Sequence, residues 1–151
     1  HREYDAFRYT HAIVCGFDKS GKLLWDNCFA LENIENIELL PMVQVTRRDG
    51  LLVLAYTKEE KIHTEVIERS RVVREKEIHE LKTAVEGEKI VDSEQGVLAA
   101  WYDRFFVAYG YQKVGGEKWT SSSRDVFYVN KLSYDPNAPR PDAKEEAKKE
   151  N

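Results

Sequence analysis

Along most of the chain, apolar and polar residues alternate in short runs separated by turn-forming residues, and no 3.6-residue stripe longer than about two turns precedes the C-terminal tail. The pattern predicts an all-β protein of antiparallel strands. Strands are expected at 11–17 and 23–29, joined by Asp18-Lys19-Ser20-Gly21, where Gly21 supplies the positive φ that such a turn needs. Residues 31–40 are rich in Glu and Asn and read as a loop or a short irregular strand, and Pro41 argues against a central strand there. The pattern resumes at 42–46, turns at Arg47-Arg48-Asp49-Gly50 and returns at 51–57; Asp-Gly between apolar runs is the strongest hairpin signal in the chain. Residues 62–67 form the next strand. Segment 71–85 alternates weakly and is heavily charged, as befits a sheet edge that must resist edge-to-edge pairing. After a polar connection at 86–95, strands are expected at 97–102, 105–114 and 125–134, with a polar loop from Gly115 that carries Trp119 and Ser121-Ser122-Ser123.

These segments repeat. Asp49-Gly50-Leu51-Leu52-Val53-Leu54-Ala55-Tyr56 and Asp103-Arg104-Phe105-Phe106-Val107-Ala108-Tyr109 share a turn Asp, a spacer, an apolar run and Ala-Tyr, at a period of about 54 residues. Each follows one strand and precedes another. The N-terminal strand running into Asp18 matches 127–132 running into Asp135, which makes a third, incomplete copy. The expected organisation is an all-β repeat region over 1–135, with copies at 5–40, 41–95 and 96–135, followed by a disordered charged tail at 136–151.

Units of this length with about four strands each are the mark of propeller blades. Within the first copy, Phe17-Asp18-Lys19-Ser20-Gly21-Lys22-Leu23-Leu24-Trp25 resembles the outer hairpin of a quinoprotein-like β-propeller blade, in which an Asp, a small turn, Gly and Trp recur. The Asp-to-Gly gap is one residue shorter than usual in that family. The resemblance implies a bacterial envelope or secreted protein, periplasmic or extracellular, whose blades serve as a scaffold or binding platform; it carries no cofactor with it. About two and a half blades are present, whereas closure takes at least about four. The chain begins at His1 and its single Met is Met42. Together these lead to the expectation of a C-terminal part of a longer propeller-like protein, or of open sheet edges that pair with another chain. A complete β-sandwich of eight to nine strands is the alternative.

The composition narrows the function. Lys+Arg 23 against Asp+Glu 27 gives net −4, too acidic and too evenly mixed for a nucleic-acid surface. No uncharged apolar run approaches the roughly 18 residues of a transmembrane helix. Two cysteines do not make a disulfide framework. With a turn at 18–21, Cys28 is expected opposite His11 and Cys15 opposite Leu24, about 13 Å apart along the ladder at ~3.3 Å per residue, too far for a bond.

No catalytic constellation can be assembled. His1, His11, His63 and His79 lack the spacing of metal ligands, so no metal site is expected. His63-Thr64-Glu65 has no companion Pro-Cys-x-x-Cys, and His63 and Glu65 read as polar neighbours on one strand face. Ser121-Ser122-Ser123 has no base to activate it, and the carboxylates are scattered. The aromatics stand out: Trp101, Tyr102, Phe105, Phe106, Tyr109, Tyr111, Trp119, Phe127, Tyr128 and Tyr134 crowd the last third of the chain. Alternation puts Phe105, Val107 and Tyr109 on one face and Phe106 and Ala108 on the other. Most are expected in a core between sheets, while Trp101, Tyr102, Tyr111 and Trp119, at strand ends and loops, are the candidate binding residues for a protein or glycan partner. The expectation is a non-enzymatic interaction or scaffold module. The competing reading is the non-catalytic portion of a hydrolase or carbohydrate-active enzyme.

Overall fold

The computed structural model describes residues 5–93, 96–103, 105–116 and 122–135. Among them are ten strands and no helix, so no helix is long and apolar enough to cross a membrane. The strands are β1 (Phe7–Phe17), β2 (Leu23–Asn36), β3 (Gln44–Arg48), β4 (Leu51–Lys58), β5 (Lys61–Glu68), β6 (Arg71–Glu80), β7 (Glu88–Ser93), β8 (Val97–Ala100), β9 (Phe105–Gly116) and β10 (Arg124–Ser133). All pairings are antiparallel, and they make three sheets. The first is the β1–β2 hairpin, the second is the meander β3-β4-β5-β6, and the third runs β10-β9-β7 with β8 also on β9. No sheet among the described residues closes on itself. The expected tail at 136–151 and Trp119 lie outside the described residues.

The three sheets stack as layers. One face of the middle sheet, with Leu54, Tyr56 and Ile67, meets Phe29, Leu31 and Ile34 of β2. Its other face, with Val53, Ala55, Ile62 and Val66, meets Leu98, Phe106 and Ala108 of the third sheet. This double burial accounts for the unbroken apolar run Leu51–Tyr56, because a strand covered on both faces has no polar side to show. Side chain to backbone bonds tie the second and third layers: Thr57 Oγ1 donates to the Gly96 carbonyl (3.0 Å) and Thr46 Oγ1 to the Asp103 carbonyl (3.0 Å). Gly96 is buried against Tyr128, whose hydroxyl would lie 2.0 Å from any Cβ placed there.

One expectation is corrected, and the choice left open at 31–40 falls on the irregular strand. Residues 86–95 are not only a connection, because Glu88–Ser93 forms β7, which pairs with the end of β9 across a bulge. The stretch 31–40 is strand as far as Asn36; a break in register between Tyr9 and His11, with Asn33 at φ 50, lets β2 continue past the irregularity. Tyr9 then pins the link to β3, its hydroxyl donating to the Glu38 carbonyl (3.1 Å) and accepting from the Leu40 N–H (2.8 Å).

The hairpin register also differs from the expected one. Asp18 Oδ1 accepts from the N–H groups of Ser20 (2.8 Å) and Lys22 (2.9 Å), and Gly21 takes φ 84. The ladder begins one step off the expected register, at Phe17 opposite Leu23, and a bulge between Gly16 and Phe17 shifts it one step further, so that Cys15 faces Asp26 and Cys28 faces Ile13. The two thiols are free and exposed on one face, offset by only two residues, roughly 7 Å along the strand. The bulge makes room for the Trp25 indole over Gly16, where a Cβ would lie 2.2 Å from the ring.

Candidate functional site

Three of the four candidate residues lie along the outer face of the third sheet, but only Trp101 and Tyr102 meet. Along β9, Phe106, Ala108, Gln112 and Val114 point into the molecule and are buried, so Phe105, Val107, Tyr109 and Tyr111 point away from it. The β9–β10 register sets Lys131 opposite Val107, Val129 opposite Tyr109 and Phe127 opposite Tyr111 on that same outer face. Val97 of β8 lies across from Tyr109. The result is an apolar and aromatic strip in water, with Tyr111 58% exposed and Val129 61% exposed.

Tyr111 and the pair Trp101–Tyr102 sit at opposite ends of this strip, separated by the length of β9 from Phe105 to Tyr111, on the order of 20 Å. At one end Tyr111 meets Phe127 edge-on (5.2 Å between centroids), and Phe127 in turn meets Tyr109 (6.4 Å). At the other end the β8–β9 turn holds three rings together. Its backbone is closed by Trp101 N–H to the Phe105 carbonyl (2.9 Å) and Phe105 N–H to the Tyr102 carbonyl (3.0 Å), with Asp103 at φ 53. Trp101 and Tyr102 pack edge-on at 5.0 Å, and Tyr102 and Phe105 are tilted at 5.1 Å. Lys131 reaches over them, its Nζ lying 5.3 Å from the Trp101 ring, 4.9 Å from Tyr102 and 3.9 Å from Phe105, and it donates to the Tyr102 hydroxyl at 2.7 Å. All three distances fall within the range in which ring quadrupoles attract a cation. Trp119 lies outside the described residues.

Sequence reasoning missed Lys131 and expected Phe105, Tyr109 and Phe127 in the core, whereas all three lie on the outer face. The signal that finds them is the cross-strand register, and it is hidden in the sequence because the loop between β9 and β10 does not fix where pairing begins.

A second cluster lies between the first two layers. Glu32, its side chain still 45% exposed beside the irregularity at Asn33, accepts from Lys76 Nζ (3.2 Å), and the same ammonium donates to the Tyr56 hydroxyl (3.0 Å). Lys58 Nζ donates to the Glu32 carbonyl (2.8 Å). The hydrogen bond from Lys76 holds the Glu32 carboxyl below its ordinary range. Burial works against the Lys76 charge, but its bonds to Tyr56 and Glu32 outweigh this and raise its pKa. His63 is not partnered with Glu65 as expected. It stacks flat on Tyr56 (4.6 Å, 11°), and its Nδ1, 3.7 Å from Glu32 Oε1, has no hydrogen-bond partner among the described residues. Burial lowers the His63 pKa, so the ring is neutral near pH 7.

A third cluster joins β5 and β6 to Tyr134, just beyond the end of β10. Thr64 Oγ1 (3.1 Å) and Glu77 Oε2 (3.8 Å) both approach Nε2 of His79, and Tyr134 donates to Glu77 Oε2 (3.3 Å). A nucleophile–base–orienter relay needs its two partners on different ring nitrogens. Here both are on one, and Thr64 is buried. Among the described residues, no group of three or more His, Cys, Asp or Glu side chains is placed to hold a metal ion. No family model, curated protein or solved structure matches the chain.

Proposed function

We propose that the chain is a non-enzymatic interaction and scaffold module of consecutive propeller-like blades, and that its apolar outer faces dock protein partners. The reading is carried by one observation: the stack ends on both sides in an apolar face left in water. On the hairpin side Ile13 (71% exposed), Phe17 and Leu24 lie with Cys15 and Cys28; on the far side lie Val97, Tyr111, Phe127 and Val129. Monomeric soluble proteins rarely expose contiguous apolar patches of more than a few hundred Å², and larger ones mark interaction sites.

Further support comes from the equivalence of the second and third layers. β4 and β9 are each an interior strand of their sheet, and the turn Asp before each takes a positive φ, 49° at Asp49 and 53° at Asp103. Three stacked layers favour blades over a two-sheet sandwich. The geometry at His79 speaks for a structural rather than a catalytic histidine. The Asp18–Trp25 hairpin resembles the quinoprotein-like motif, and with it goes a place in the bacterial envelope or outside the cell.

The test is sedimentation equilibrium of the chain and of the double variant Ile13→Lys/Phe127→Lys. The chain is expected to associate reversibly as its concentration rises, and the double variant to remain monomeric with an unchanged melting temperature. Phe106→Ala, by contrast, removes a side chain only 2% exposed and should cost about 3–5 kcal/mol of stability. A chain that stays monomeric at every concentration and is indifferent to the added lysines would overturn the docking reading.

A further inference from the structure

We infer that the three-ring cage of Trp101, Tyr102 and Phe105 is a recognition site for a lysine side chain of a protein partner, and that Lys131 of this chain occupies it as an internal stand-in. The inference rests on the docking reading above and names the chemistry the partner must bring.

Three observations carry it. The turn that carries the rings is set without the lysine: its two backbone bonds and the bond from Thr46 Oγ1 to the Asp103 carbonyl fix its main chain without any contribution from Lys131, and the rings pack on one another at 5.0 and 5.1 Å. The site is open, since Trp101 and Tyr102 are both more than half exposed and Lys131 is itself exposed on β10, so its flexible stem can swing away and admit another cation. The occupant also shows what fits. An ammonium lies within cation–π range of all three rings and donates to the Tyr102 hydroxyl at 2.7 Å. That hydrogen bond discriminates, because a quaternary ammonium has no N–H to donate and a lysine ammonium, or its mono- or dimethylated form, does. The cage stands at one end of the outer aromatic strip, so a partner sheet lying on the strip can bring a lysine to it. Because Lys131 is tethered, it competes at a high effective concentration and keeps the affinity for free cations low.

The probes are n-butylammonium chloride and tetramethylammonium chloride, titrated at matched ionic strength with sodium chloride as the blank. Binding is followed by NMR at the Trp101 indole N–H, assigned with Trp101→Phe. In Lys131→Ala, butylammonium should saturate at a concentration about tenfold lower than in the unmodified chain, reflecting the loss of the tethered competitor. It should also bind more tightly than tetramethylammonium, and Tyr102→Phe in the Lys131→Ala background should erase that preference. No saturable shift in a folded Lys131→Ala variant overturns the cage as a cation site. Equal or tighter binding of tetramethylammonium overturns the lysine assignment in favour of a choline-like group. Neither result touches the sedimentation behaviour of the outer faces, so this inference and the docking reading fail separately.

Discussion

The buried histidine gives the fold a pH dependence whose sign can be worked out. His63 faces Glu32 from β2, Lys58 from β4, Lys76 from β6 and Lys61 from its own strand, and burial outweighs the attraction of Glu32, so its folded pKa lies below the ordinary 6.5. The unfolded chain therefore takes up a proton before the folded one does. Stability is fully present above about pH 6.5 and is lost as pH falls from there towards the folded value. Glu65, whose carboxyl burial pushes up, acts in the opposite sense, while Glu32 and Asp18, held below their ordinary values, lose their contribution only in more acid solution. Urea unfolding between about pH 7 and 5.5 should show the decline, and His63→Phe, which keeps a ring against Tyr56, should flatten it. A slope unchanged in His63→Phe would place the titration elsewhere. The alternation of the sequence put His63 on the correct strand and face, but its partner Glu32 lies 31 positions away on another sheet, and no local pattern carries that pairing.

Elements were most legible where one residue type dictates the backbone. Asp18 and Gly21 announce their turn, Asp49-Gly50 announces another, and the charge of β6 marks it as the edge of its sheet. The misses have physical causes. β7 is short and polar, and Glu88–Ser93 pairs because β9 runs long enough to receive it. β2 outlasts its apparent end because Asn33, a residue that tolerates the left-handed region, absorbs the irregularity. In β9 the alternation separated Phe106 and Ala108 from Phe105, Val107 and Tyr109, but both sets are apolar, so the pattern alone could not say which faces inward. The hairpin register turned on Gly16, whose missing side chain is filled by the Trp25 indole. Gly16→Val should expel that ring, lowering stability by more than about 1 kcal/mol and moving tryptophan emission to the red. A variant with native emission and stability would show that the bulge does not depend on the indole.

At the level of the whole molecule, the same stacking that exposes two faces makes the interior unequal. β4 and β5 are covered on both sides, whereas β1 pairs only with β2 and their shared outer face is open. The hairpin is held to the rest by the Phe29–Leu31–Ile34 contact and by the bonds that Lys58 and Lys76 make to Glu32. Replacing Glu32 by Gln should therefore speed amide hydrogen exchange in β1 and β2 and leave β9 and β10 unchanged; uniform acceleration throughout would mean that the layers unfold as one. The double burial of the middle sheet has a kinetic counterpart. The amides of β4 and β5, unlike those of the edge strands β3 and β6, should exchange only when a neighbouring layer has lifted and the strands have parted, and the hairpin is then the outer foldon that opens first. A partner seated on the hairpin's free face would then act twice, holding the outer layer shut and lengthening the lifetime of the sheet beneath it without touching that sheet.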